Sequence, residues 1–124
     1  MKQAIYTPNA PEPIGPYSQA IVSNGFIFVS GQIPIDTTGE VIDSDISAQT
    51  KQVMRNISEI LDKAGSSFEK VVKTTIYLKS IKDFSFVNDI YGTYFQELPP
   101  ARTTIEVNRL PKDVLVEIDC IATV

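Results

Sequence analysis

Apolar and polar residues alternate from Tyr17 to Val22 and again from Phe26 to Ile33, on either side of Ser23-Asn24-Gly25. A period of two is that of a strand, and Asn-Gly is the strongest short hairpin signal. With Asn24 and Gly25 at the turn, residue 23 pairs with 26, 21 with 28, 19 with 30 and 17 with 32. One predicted face carries Ala20, Val22, Ile27, Val29, Gly31 and Ile33 and reads as core. The other mixes aromatic and aliphatic groups with polar ones: Tyr17, Gln19, Ile21, Phe26, Phe28, Ser30 and Gln32. Gly39-Glu40-Val41-Ile42, after Asp36-Thr37-Thr38, reads as a turn and a short strand. Asp43-Ser44-Asp45 supplies a helix start, and Val53, Ile57, Ile60, Leu61 and Ala64 recur at helical spacing until Gly65 stops them.

Ser66 and Glu69 have the spacing of a capping box. After them Val72, Thr74, Ile76 and Leu78 alternate with Lys73, Thr75, Tyr77 and Lys79 as a strand. A second helix carries Phe84, Val87, Tyr91, Tyr94 and Phe95 on one stripe, and Leu98-Pro99-Pro100 ends it. The chain closes on two β-forming stretches, 101–107 and 114–121. If Val107 pairs with Val114 in a hairpin, Thr103, Ile105, Val107, Val114, Val116, Ile118 and Cys120 share a core face. Arg102, Thr104, Glu106, Leu115, Glu117, Asp119 and Ile121 share the other, with Arg102 opposite Asp119 and diagonal to Glu117. The predicted order is β-β-(β)-α-β-α-β-β, one α+β domain over residues 1–124 with a single mixed sheet and both helices on one face. The other face holds Ile21, Phe26, Phe28, Leu115 and Ile121, more apolar surface than a small monomer leaves in water, so a homo-oligomer is expected to bury it.

Composition narrows the chemistry. The chain has 124 residues, no His and one Cys, which excludes Ser/His/Asp and Cys/His nucleophile machinery and the common zinc sites. Carboxylates, Arg, Lys, Tyr, hydroxyls, backbone groups and water remain. A lone Cys gives no intrachain disulfide and suits a reducing compartment. The start, Met1-Lys2-Gln3-Ala4-Ile5-Tyr6, lacks the apolar region of a signal peptide and is soon followed by Pro8, Pro11 and Pro13 in an extended arm over residues 7–16. No run approaches the length of a membrane span. A cytoplasmic protein with no membrane partner is expected, and a net charge of −4 speaks against nucleic acid as the main partner.

Ile14-Gly15-Pro16-Tyr17-Ser18-Gln19-Ala20, Phe28-Val29-Ser30-Gly31-Gln32-Ile33-Pro34, Pro100-Ala101-Arg102-Thr103, Val107 to Asp113 and Val116-Glu117-Ile118 together resemble the Rid family of reactive intermediate deaminases, also known as YjgF-type or L-PSP endoribonuclease proteins. The resemblance runs from about Gly15 to the C-terminus and is strongest to the 2-iminobutanoate/2-iminopropanoate deaminase subgroup. It implies a chorismate-mutase-like fold, a homotrimer with three intersubunit clefts, and hydrolysis of enamines and imines such as 2-aminoacrylate to 2-keto acids and ammonia. It implies no metal and no cofactor. It places the family's arginine on Arg102 and its acidic water partner on Glu117. Its aromatic cleft residue falls on Tyr17, with Ser30, Gly31 and Asn88 lining or supporting the site. Thr104 stands where the archetype often has Cys, a position that works largely through its backbone N–H.

Such chemistry is compatible with a site lacking His. Arg102 offers a planar fork for a carboxylate, fixing where the C=N carbon lies, and Glu117 can polarise the attacking water. The residues alone also permit plainer roles. Arg102 with its acidic neighbours can be a surface ion pair, worth at most ~1 kcal/mol. Tyr17 can be a packing aromatic, Ser30 a strand hydroxyl satisfied by a neighbour, and Asn88 a brace. Cys120, on the predicted core face, reads as an inert small hydrophobe. Three other functions compete with deamination: a non-catalytic module binding 2-keto acids or related metabolites in the same cleft, a ribonuclease, and a holdase using the aromatic face.

Overall fold

The computed structural model describes residues 1–43 and 45–124. Six strands form one mixed sheet: β1 (Lys2–Ile5), β2 (Ala20–Ser23), β3 (Phe26–Gln32), β4 (Val71–Leu78), β5 (Ala101–Glu106) and β6 (Val116–Thr123), in the order β1-β2-β3-β6-β4-β5. Helices α1 (Ile46–Lys63) and α2 (Phe84–Gly92) cover one face, as expected of an α+β layer. Val53, Met54, Ile57, Ile60 and Leu61 of α1 are fully buried against Ile27, Ile76, Leu78 and Ile118 of the sheet, and each such side chain contributes about 1.5–3 kcal/mol of burial. Asp45 caps α1 by accepting from the Ala48 N–H at 2.8 Å, and Gly65, at φ +78°, takes the left-handed position that ends it. Of the predicted start Asp43-Ser44-Asp45, Ser44 lies outside the described residues.

The first hairpin has the expected register, with Ile21 opposite Phe28 and Ser23 opposite Phe26. Its outer end departs from strict alternation. A bulge between Val29 and Gln32 shifts the pairing with β6, so Gln32 turns inward and Gly31 faces the uncovered side. Gln19 is also buried and off the predicted open face. Its amide accepts from the Thr7 N–H at 2.7 Å and donates to the carbonyls of Thr7, Ala10 and Pro11, so it pins the proline arm to the sheet. Residues 17–19 precede β2 without joining it. Gly39–Ile42 forms no strand beyond an isolated Ile35–Val41 bridge, and the N-terminal β1 pairs with β2. Ser66 does not cap the turn after it; Ser67 occupies that position and the Ser66 hydroxyl donates to the Thr123 carbonyl at 2.6 Å.

The largest correction concerns the last two strands. They form no hairpin: β5 lies parallel to β4, with Arg102 beside Thr74, and β4 lies between β5 and β6. The reason is the βαβ unit β4-α2-β5, in which the crossover helix returns the chain so that β5 runs alongside β4. The connection from β5 then crosses the end of β4, where the Val107 N–H donates to the Leu78 carbonyl and the Lys79 N–H to that of Leu115. The faces of β5 are therefore the reverse of those expected. Arg102 and Thr104 lie beside buried Thr74 and Ile76 on the helix side, whereas Thr103 and Ile105 lie beside Thr75 and Tyr77 on the uncovered side.

Candidate functional site

The predicted site residues fall into two clusters on opposite faces of the sheet. The first is built around Arg102. Asn88, on α2, accepts a hydrogen bond from Nη1 at 2.7 Å, and the guanidinium carbon lies 5.4 Å from the Phe84 ring centre and 5.1 Å from that of Tyr91. Tyr91 is fixed in turn by a 2.7 Å hydrogen bond between its hydroxyl and that of Thr74. The rings and the amide hold the fork in one orientation at the edge of a cleft that Pro99 and Pro100 border. Asn88 occupies one N–H of the five a guanidinium carries, and the bidentate geometry that suits a carboxylate remains available. Thr104 follows on the same face, its hydroxyl oxygen buried without a hydrogen-bond partner among the described residues.

The second cluster surrounds Glu117 on β6. A second cavity is lined by Tyr17, Ser30, Gly31, Lys112 and Glu117, among others. The Glu117 carboxylate covers Gly31 so closely that a Cβ there would overlap its Oε2, which is what the glycine at the β3 bulge provides for. Burial and the like charge of Asp119 push the Glu117 carboxyl above the ordinary range. Tyr17, half exposed, accepts a 3.1 Å hydrogen bond from the Ile14 N–H, which shapes the loop that brings its ring to the cavity. The Ser30 hydroxyl donates to the Ser18 carbonyl at 2.6 Å, so its proton is committed and its oxygen remains an acceptor.

Arg102 therefore meets neither Glu117 nor Asp119 within one chain, because β4 separates the strands and the side chains project from opposite faces. Among the described residues the one salt bridge is Arg109–Asp113. Asp119 instead accepts from the Tyr77 hydroxyl at 3.1 Å. Cys120 is buried and its thiol pushed up to about 12, a poor nucleophile at neutral pH. The roles of Phe84 and Tyr91 as a seat for Arg102 were hidden in the sequence by their helical stripe, which reads as core packing. No described helix is long and apolar enough to cross a membrane.

Comparison with known proteins gives one consistent answer. Residues 7–124 match the model of the family described as Endoribonuclease L-PSP. A RutC family protein of Pyrococcus horikoshii is 56% identical over 123 residues, covering 98% of each chain. Reactive Intermediate Deaminase A, chloroplastic, of Arabidopsis thaliana is 45% identical over 98% of this chain and 66% of its own length. A crystal structure of YyfA from Yersinia pestis, a protein of unknown function in the Rid family, superposes with a TM-score of 0.97 at 52% identity over the whole of both chains. A shared fold and a family match over nearly the whole chain leave one assignment: the chain belongs to the YjgF/Rid family, the one that also carries the Endoribonuclease L-PSP label.

Proposed function

We propose that this protein hydrolyses reactive enamines and imines, 2-aminoacrylate, 2-iminopropanoate and 2-iminobutanoate among them, to 2-keto acids and ammonia, in clefts shared between copies of a homotrimer. The observation that carries the reading is the separation of the two clusters. A carboxylate fork already oriented by Asn88 lies on one face, and a partly buried carboxyl beside an open cavity lies on the other. One chain cannot bring them together, but Arg102 of one copy can meet Glu117 of the next. Family membership and the name of the Arabidopsis relative support imine deamination as the general chemistry.

In this scheme Arg102 binds the substrate carboxylate, with Asn88 fixing the fork and the Thr104 backbone adding a donor. Tyr17, Ser30 and Gly31 wall the space above Glu117. An enamine first tautomerises to the imine. Glu117 takes a proton from water as its oxygen attacks the carbon of the protonated C=N, giving a carbinolamine. Glu117 returns its proton to the nitrogen, the C–N bond breaks to release ammonia, and the hydroxyl becomes the keto group as it gives up its own proton to the Glu117 carboxylate or to water. Positioning supplies most of the acceleration, since the electrophile already reacts with water. No metal or cofactor enters any step of this scheme.

The test is a coupled assay in which a serine or threonine dehydratase generates the enamine and keto-acid formation is followed. The wild type is expected to accelerate release, and Arg102→Ala to lower kcat/KM by about 100-fold or more. No acceleration by the wild type, or full activity in Arg102→Ala, refutes the reading. The Arg102 fork serves equally well to bind a 2-keto acid without turnover, as a regulatory module would. Calorimetric binding of keto acids with no turnover in the same preparation identifies that alternative.

A further inference from the structure

The turn Pro111–Asp113 carries a feature that the hydrolysis scheme leaves unused. Lys112 and Asp113 both lie in the left-handed region, at φ 56° and 55°. For residues other than glycine, that conformation costs about 1–2 kcal/mol each. The surroundings hold them there. Leu110 and Val114, on either side, are buried; the Asp113 N–H donates to the Leu110 carbonyl at 3.0 Å; and the Arg109 guanidinium grips the Asp113 carboxylate through two N–H donors at 2.7 and 3.2 Å. Glycine or asparagine would adopt this backbone at less cost. The turn instead carries an ammonium.

The position of that ammonium gives it a use. Lys112 lines the same cavity as Tyr17, Gly31 and Glu117, and Ile14 and Ile33 supply apolar wall between. Arg109 is neutralised by Asp113, whereas Lys112 enters no salt bridge among the described residues. It is the one cationic residue in the lining of that cavity, in a chain whose net charge is −4.

We propose that Lys112 recognises a second anionic group on the substrate, so that the cleft accepts 2-imino acids whose side chain ends in a carboxylate as well as those with neutral side chains. The inference rests on the deaminase reading. The α-carboxylate goes to Arg102 of the neighbouring copy, the side chain runs along Ile14 and Ile33, and the terminal carboxylate pairs with the Lys112 ammonium. Lys112 is then a specificity residue that touches no reacting atom.

The experiment compares kcat/KM for an imino diacid and a neutral imino monoacid, each generated in situ by an amino-acid oxidase, in wild type, Lys112→Met and Lys112→Arg. The diacid-to-monoacid ratio is expected to fall about fivefold in Lys112→Met, through KM, and to return in Lys112→Arg. The wild-type ratio should also fall as salt rises from about 20 to 500 mM, a dependence a purely structural lysine would not produce. Equal changes for both substrates in Lys112→Met, or none, overturn the proposal. If the wild type turns over neither imine, the deaminase reading fails separately. Calorimetry with the corresponding 2-oxo diacid and 2-oxo monoacid then applies the same criterion to Lys112.

Discussion

Gly31 has no room for a side chain because the Glu117 carboxylate stands where its Cβ would be, so a Cβ there forces the Glu117 side chain to move. Gly31→Ala is therefore expected to displace Glu117 and lower kcat by about 10²-fold or more, while KM, set mainly by the Arg102 fork, changes less. Steady-state kinetics on the purified variant decides this. The ionisation of Glu117 adds a second expectation. Its carboxyl titrates above the ordinary 4.5 because burial and Asp119 disfavour the charge. The native state thus retains the proton over a window above 4.5 in which the unfolded chain has lost it, and charging this group costs stability as pH rises through the folded value. Glu117→Gln should match the wild type in Tm below about pH 4 and exceed it by a few degrees at about pH 7. As the proposed base works only when ionised, wild-type kcat/KM should fall on the acid side with a midpoint above about 4.5, which a pH–rate profile of the wild type measures. At this scale the motif resemblance singled out Arg102, Glu117, Tyr17, Ser30, Gly31, Asn88 and Thr104 as candidates, which the structure divides between two clusters. It did not disclose that Asn88 reaches Arg102, because a contact between α2 and β5 has no signature in either segment.

Among the elements, alternation was readable wherever one face of a strand is buried and its partner adjoins it in the chain. β2 and β3 paired as expected for that reason. β5 did not, because an exposed edge strand with the burial pattern of Ala101–Glu106 has no apolar face to declare its register. The better signal was the β4-α2-β5 order, which favours a parallel neighbour over a long-looped hairpin. The bulge at Ser30 and Gly31 was invisible for a similar reason: one extra residue changes which side chains point inward without changing composition. Gln19 shows the consequence of reading a polar residue as exposed. Its amide satisfies four backbone groups of the arm, so Gln19→Ala leaves buried donors and acceptors unpaired and is expected to destabilise the protein by about 3 kcal/mol. A urea unfolding curve measures the loss, and limited proteolysis should cut first within residues 7–16.

For the whole molecule, the proposed assembly would answer both the uncovered sheet face and the divided candidate site. Phe26, Phe28 and Ile105 are each about 40–45% exposed, with Ile21 and Ile121 flanking Phe28 on the same face. A second copy that covers this surface in a cyclic, head-to-tail arrangement would bring one subunit's Arg102 cluster to the next subunit's Glu117 cavity. The arrangement makes a quantitative prediction that a self-contained site does not. Arg102→Ala and Glu117→Gln are each expected to be inactive alone. After subunits of the two are exchanged in equal amounts, half of the copies supply an intact Arg102 and half of their neighbours an intact Glu117. About one quarter of the sites in a closed ring should then be complete, and activity should recover to about that fraction of wild type. Recovery should be lost if Phe28→Lys, placed in both variants, prevents association, which sedimentation would register directly. If the mixture stays inactive although exchange is demonstrated, the two clusters do not work together across an interface, and the shared-cleft model falls whatever the assembly's symmetry.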